Sequence, residues 1–144
     1  MSTVLYFSPD GVVYETGAYS NVDIAELVHD FGLESLTSDD RQFDFWITPS
    51  TRRCRRKVNL SATEMLLATT EFAAKTVPLL RGGVVVATHD SVGELDGLSS
   101  EQLDLLIQDS CTLTRRDDRV LSRRIRRDER RQRRNLVAAD AGIG

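Results

Sequence analysis

Residues 115 to 134, RRDDRVLSRRIRRDERRQRR, hold eleven arginines and no lysine. So much fixed positive charge leaves only Val120, Leu121 and Ile125 as apolar positions in that stretch, too few for a self-sufficient core or a coiled-coil seam. A core therefore has to come from the residues before it, and these carry the opposite sign. From Met1 to Thr114 there are 8 Lys+Arg against 17 Asp+Glu, a balance of −9, whereas Arg115 to Gly144 has 11 against 5, a balance of +6. The whole chain uses seventeen Arg and two Lys, a bias that a GC-rich genome produces unaided, so the clustering of charge is the signal and the choice of guanidinium is not. The expected organisation is an acidic globular domain over 1–114, a basic helical arm over 115–137 and a flexible end over 138–144.

Within the first part, Val4 to Phe7 and Val12 to Tyr14 flank Ser8-Pro9-Asp10-Gly11, a turn composition that predicts a β-hairpin. Ser20 or Asn21 offers an N-cap to a short helix with Ile24, Leu27, Val28 and Phe31 on one stripe, ending at Gly32. Leu33 to Arg41 is polar and reads as a loop. Phe43, Phe45 and Ile47 alternate with Asp44, Trp46 and Thr48, as in a strand with one buried face. Ser61 and Glu64 have capping-box spacing ahead of Met65, Leu66, Thr69, Phe72, Ala73 and Thr76, the face of a core helix. Gly82-Gly83 leads into Val84 to Thr88, whose β-branched run suits a central strand buried on both faces. Ser99 and Gln102 form a second capping box, with Leu98 and Leu103 as a hydrophobic staple and Leu106 and Ile107 on the buried stripe. The expected fold class is α+β: a small mixed sheet, made of the hairpin and two further strands, covered by helices and followed by an Arg-rich C-terminal helix.

Several pieces, DIAELV, FDFWI, the run Asn59-Leu60-Ser61-Ala62-Thr63, Gly82-Gly83-Val84-Val85-Val86 and a Gly-Leu-Ser helix start, occur in this order over residues 12 to 107. In this arrangement the chain resembles small uncharacterised domains found in phages and mobile-element-rich bacterial genomes. The resemblance implies a phage-like origin and no active site; the basic run from Arg52 and the C-terminal arm stand outside it.

No G-x-S-x-G, P-loop, G-x-G-x-x-G or H-E-x-x-H pattern is present, and no catalytic residue is assigned. His89, in Thr88-His89-Asp90 at the end of the buried strand, is the one catalytic candidate, and its ordinary role is a solvent-facing turn residue. His29 falls on the polar side of the first helix. Cys54, with two arginines on each side, has the surroundings of a stabilised thiolate, although a lone cysteine of this kind more often points inward. Cys111, beside leucines at a helix end, is expected to be buried. The two cysteines have no metal-ligand spacing, so neither metal nor cofactor is expected. The absence of a long apolar run and of a basic, apolar leader in MSTVLYFSPD gives a cytoplasmic expectation without membrane association.

The function that remains is carried by charge. Two basic elements are candidate nucleic-acid contacts: Arg52, Arg53, Arg55, Arg56 and Lys57, and the arm's Arg115, Arg116, Arg119, Arg123, Arg124, Arg126, Arg127, Arg130, Arg131, Arg133 and Arg134. In the arm, Arg124 with Asp128 and Glu129 with Arg133 have the spacing of ion pairs. Arg115 with Arg119, Arg123 with Arg127, Arg127 with Arg131 and Arg130 with Arg134 set like charges side by side, a strain that an external anion relieves. Phosphate suits the planar guanidinium, and with no aromatic residue in the arm nothing points to base stacking or base-specific readout. The expectation is a small non-enzymatic accessory protein that binds nucleic acid non-specifically through phosphate. The alternative is a protein-interaction module, an inhibitor or adaptor, whose basic helix docks on an acidic protein surface.

Overall fold

The computed structural model describes residues 1–30, 32–48 and 56–143, with side chains described through Asn135. The strands are β1 (Ser2–Phe7), β2 (Val13–Ala18), β3 (Glu34–Thr37), β4 (Asp44–Ile47), β5 (Val84–His89) and β6 (Leu95–Asp96). They form one open sheet in the order β2-β1-β5-β4-β3, with β6 on the end of β5, and every described pairing is antiparallel. The helices are α1 (Asn21–Val28), α2 (Leu60–Thr69), α3 (Ser100–Ser110) and α4 (Arg115–Ile143). The α+β class expected from the sequence holds.

The β1–β2 hairpin closes where its turn chemistry places it. Gly11 takes φ +92°, its N–H donates to Ser8 O, and Phe7 pairs with Val13. At the centre, β5 is buried from Val84 to Thr88, and its alternation divides the interior in two. Val84 and Val86 join Phe7, Phe45, Ile47, Leu66, Leu106 and Leu121 on the face covered by α2, α3 and α4. Val85 and Ala87 join Val4, Ala18, Ile24 and Val28 on the face covered by α1. A central strand of this kind needs apolar side chains in both directions.

Several expectations are corrected. Leu33 to Arg41 is not simply a loop: Glu34–Thr37 is the edge strand β3, paired with β4. An edge strand needs few inward apolar groups, here Leu36 packed against the core, so its sequence reads as polar. β6 is a two-residue strand in a stretch read as loop, and a segment so short has no periodicity to detect. α1 stops at Val28, before Gly32, with His29 in the left-handed region at φ 61°.

The cap of α2 is Asn59 rather than Ser61. Asn59 is 1% exposed; its Oδ1 accepts the Ala62 N–H and its Nδ2 donates to Phe7 O and Gly82 O. α2 also ends at Thr69, where Thr69 and Thr70 hydroxyls donate back to Met65 O and Leu66 O, and Phe72 lies 44% exposed beyond it. Ala74, Val77 and Leu80 fill the core in place of Phe72, Ala73 and Thr76. The Ser99–Gln102 capping box of α3 forms as expected, but Ile107 is 62% exposed. It sits about 100° round the helix from the buried Leu106, off the stripe. Cys111 is exposed, not buried.

Candidate nucleic-acid interface

α4 begins with a reciprocal cap: Thr114 Oγ1 accepts the Asp117 N–H and Asp117 Oδ2 accepts the Thr114 N–H. Asp117 and Asp118 occupy its first turn, where acids suit the helix dipole. Among the described residues, contacts from Leu121, Arg124 and Asp128 help hold the helix to the body. Leu121 is fully buried in the larger core. Arg124 Nη1 donates to Ala74 O at 2.7 Å. Arg81 grips Asp128 with both guanidinium nitrogens, Nη1 to Oδ2 at 2.7 Å and Nη2 to Oδ1, with the two side chains 12% and 15% exposed. The expected Arg124–Asp128 pair is therefore replaced. Both residues face the body, and the body supplies a partner for each.

Seating Leu121, Arg124 and Asp128 against the body determines what faces outward. At 100° per residue, ten of the eleven arginines fall within an arc of about 160°, interrupted only by Val120 between residues 115 and 134. Those ten, Arg115, Arg116, Arg119, Arg123, Arg126, Arg127, Arg130, Arg131, Arg133 and Arg134, are all exposed. Asp117, Asp118, Asp128 and Glu129 lie outside the arc. The result is a rod of positive charge about 30 Å long, with neighbours such as Arg119, Arg123 and Arg127 one turn apart on the same side. Like charges at that spacing cost about 0.2–0.5 kcal/mol per pair until an anion intervenes.

The body extends this surface at two points. Lys75, absent from the candidates chosen by sequence, joins Arg123, Arg124, Arg127 and Val120 around a cleft of about 330 Å³ with no acidic wall. Burial lowers the pKa of Arg124 from its usual value, as desolvation disfavours the charged form. On the other flank, Lys57 shares a cleft of about 490 Å³ with Arg126, Ser122 and Ile125, and Asp10 and Glu129 also line it. Nothing in the sequence joins Lys75 to the arm; some fifty residues separate them, and only the docking of α4 brings them together.

The basic run near residue 52 divides. Arg52, Arg53 and Arg55, with Cys54, lie outside the described residues. Arg56 is structural: its Nη1 and Nη2 donate to Val28 O and His29 O at 2.8 and 2.9 Å, closing the C-terminus of α1, and it lies 3.7 Å from the Asp30 carboxylate. A guanidinium suits two adjacent helix-end carbonyls left without N–H partners. Lys57 is exposed.

His89 is not a turn residue. It ends β5, pairs with Leu95, and holds Asp44 Oδ2 with Nδ1 at 2.7 Å, the side chains being 32% and 13% exposed. Asp44 also accepts from Thr37 Oγ1. His29 is exposed at the α1 cap. Among the described residues no cluster of His, Cys, Asp and Glu could hold a metal ion, and no helix is long and apolar enough to cross a membrane. Compared with models of protein families, with curated proteins and with solved structures, the chain matches none.

Proposed function

We propose that this is a small non-enzymatic accessory protein, of the phage-like kind that its sequence resembles, in which α4 binds the phosphates of nucleic acid without reading their sequence. The observation that carries this reading is the one-sided distribution of arginine: ten exposed guanidinium groups share one face of a docked helix, and the helix's acids are turned elsewhere. A solubilising surface helix mixes both signs round its circumference; this one separates them. The acid-free cleft at Lys75 adds a place where several cations can converge on one phosphate.

The test keeps the chain whole, since removing α4 would also take Leu121 from the core. Anisotropy binding to random-sequence duplex DNA and to RNA is compared between the native chain and an Arg119→Gln/Arg123→Gln/Arg127→Gln/Arg130→Gln variant. If about six phosphates are neutralised, log Kobs falls against log [salt] on duplex DNA with a slope near −5. Each contact removed lowers the steepness by about 0.9. Absence of binding by the native chain at low salt, or equal binding by the variant, would defeat the proposal.

A further inference from the structure

The chain has three tyrosines, Tyr6, Tyr14 and Tyr19, and all three line one open cavity of about 400 Å³ between the β1–β2 hairpin and α1. Tyr6 and Tyr14 are direct cross-strand partners, so their side chains share one face of the hairpin. Tyr6 packs there against the cluster of Val4, Ile24 and Val28, on the α1 side of the sheet. The two ring centroids are 5.2 Å apart and the planes are inclined at 59°, so the pair forms a corner rather than a flat wall. Gly83 leaves room for it, since a Cβ at that position would lie 2.9 Å from the Tyr6 hydroxyl oxygen. Tyr14 and Tyr19 stay 46% and 78% exposed, which keeps the cavity open to solvent.

α1 supplies the opposite side. Asp23, Glu26 and Leu27 also line the cavity, and a spacing of three and four residues sets them on one side of the helix. Asp23 Oδ2 accepts the Tyr19 N–H at 2.6 Å, which ties the third tyrosine to a carboxylate. Neither Asp23 nor Glu26 forms an ion pair among the described residues. His29 lies at the same cavity, and the Arg56 guanidinium that reaches its carbonyl is engaged by Val28 O and His29 O and lies 3.7 Å from Asp30.

These features select one kind of ligand. Two carboxylates without counter-ions repel an anion and attract a cation. A neutral apolar ligand would strip water from them and give nothing back. A bare metal ion is unsuited, since no cluster of His, Cys, Asp and Glu among the described residues could hold one. Aromatic rings attract a cation to their electron-rich faces, and together with Leu27 they offer apolar contact to alkyl groups. From this we infer that the cavity binds an organic cation of the methylated-ammonium class, either a free small molecule or the methylated lysine side chain of a peptide. The inference does not depend on nucleic-acid binding by α4.

Because every tyrosine of the chain lines this cavity, tyrosine ring resonances report on it alone. The full chain, with ring-¹³C-labelled tyrosine, is titrated at constant ionic strength with choline, with Nε-trimethyl-lysine and with 3,3-dimethylbutan-1-ol, the uncharged isostere of choline. A saturable shift with one or both cations, and a response at least tenfold weaker to the isostere, is the expected result. Tighter binding of choline marks a free small molecule, and tighter binding of trimethyl-lysine marks a modified side chain. Tyr14→Ala should weaken binding of the cation about tenfold, Tyr14→Phe should retain it because the ring remains, and Glu26→Gln should weaken it severalfold, all with a dispersed amide spectrum. The proposal is overturned if neither cation shifts the resonances, if the isostere binds as tightly, if Tyr14→Ala or Glu26→Gln binds as the native chain does, or if Tyr14→Phe loses as much as Tyr14→Ala.

Discussion

Asn59 joins three parts of the fold, and its replacement provides a quantitative test of how the body is held together. Its side chain satisfies three main-chain groups: the Ala62 N–H at the start of α2, Phe7 O at the end of β1 and Gly82 O just before β5. With the residue 1% exposed, water cannot readily substitute. In Asn59→Ala the lost cap costs about 1 kcal/mol, and each carbonyl deprived of its donor adds about 1–2 kcal/mol. The expected loss is about 3–5 kcal/mol, against a total stability of roughly 7–15 kcal/mol for a chain of this size. The variant should therefore still fold.

Asn59→Asp separates the parts of that sum. A carboxylate keeps the acceptor for Ala62 but turns an oxygen toward two carbonyl oxygens, so at pH 7 it should be at least as damaging as alanine. Protonation restores one donor, so its deficit relative to the native chain should shrink as the pH falls. Urea unfolding followed by circular dichroism at several pH values measures both variants. A cost below about 1 kcal/mol for Asn59→Ala, or a native-like Asn59→Asp at neutral pH, would refute the reasoning.

Two further outcomes follow from the way α4 is seated. Leu121→Ala should lower stability by about 2–5 kcal/mol in the same unfolding assay, a loss out of proportion for a helix whose visible surface is charged. Burial first, and Asp118 of α4 second, raise the Glu64 pKa above its ordinary 4.5. The folded state therefore holds this proton more tightly than the unfolded one, so the ionised group is a liability above its raised pKa, and the liability vanishes once the pH falls below about 4.5. Glu64→Gln should accordingly raise the melting temperature at pH 7 and have no such effect near pH 4.

Most of the framework was legible because it is local. The SPDG turn, the Val84–Thr88 run and the Ser99–Gln102 box each contain their own physical reason within a few residues. Three of the misreadings share one cause, which is competition from distant partners. Ser61 has good capping spacing, but Asn59 wins because its amide also reaches Phe7 and Gly82. Arg124 and Asp128 have good pairing spacing, but Ala74 O and Arg81 lie closer to their terminal atoms. Arg56 reads as one more cation until α1 supplies carbonyls for it. In the candidate interface the charge was visible at once, whereas its confinement to one face depended on which side of α4 the body covers. Lys75 could not have been chosen without that docking.

Leu121 follows every other fully buried member of its core along the chain, and this order constrains biogenesis. While the arginine segment is still inside the ribosomal exit tunnel, the sheet and α2 can form, but their shared interior lacks its last side chain. Folding of this body is thus completed only once Leu121 has emerged, after the acidic residues of the first 114 positions have done so. A polypeptide built in this order presents its arginine face only as its interior closes.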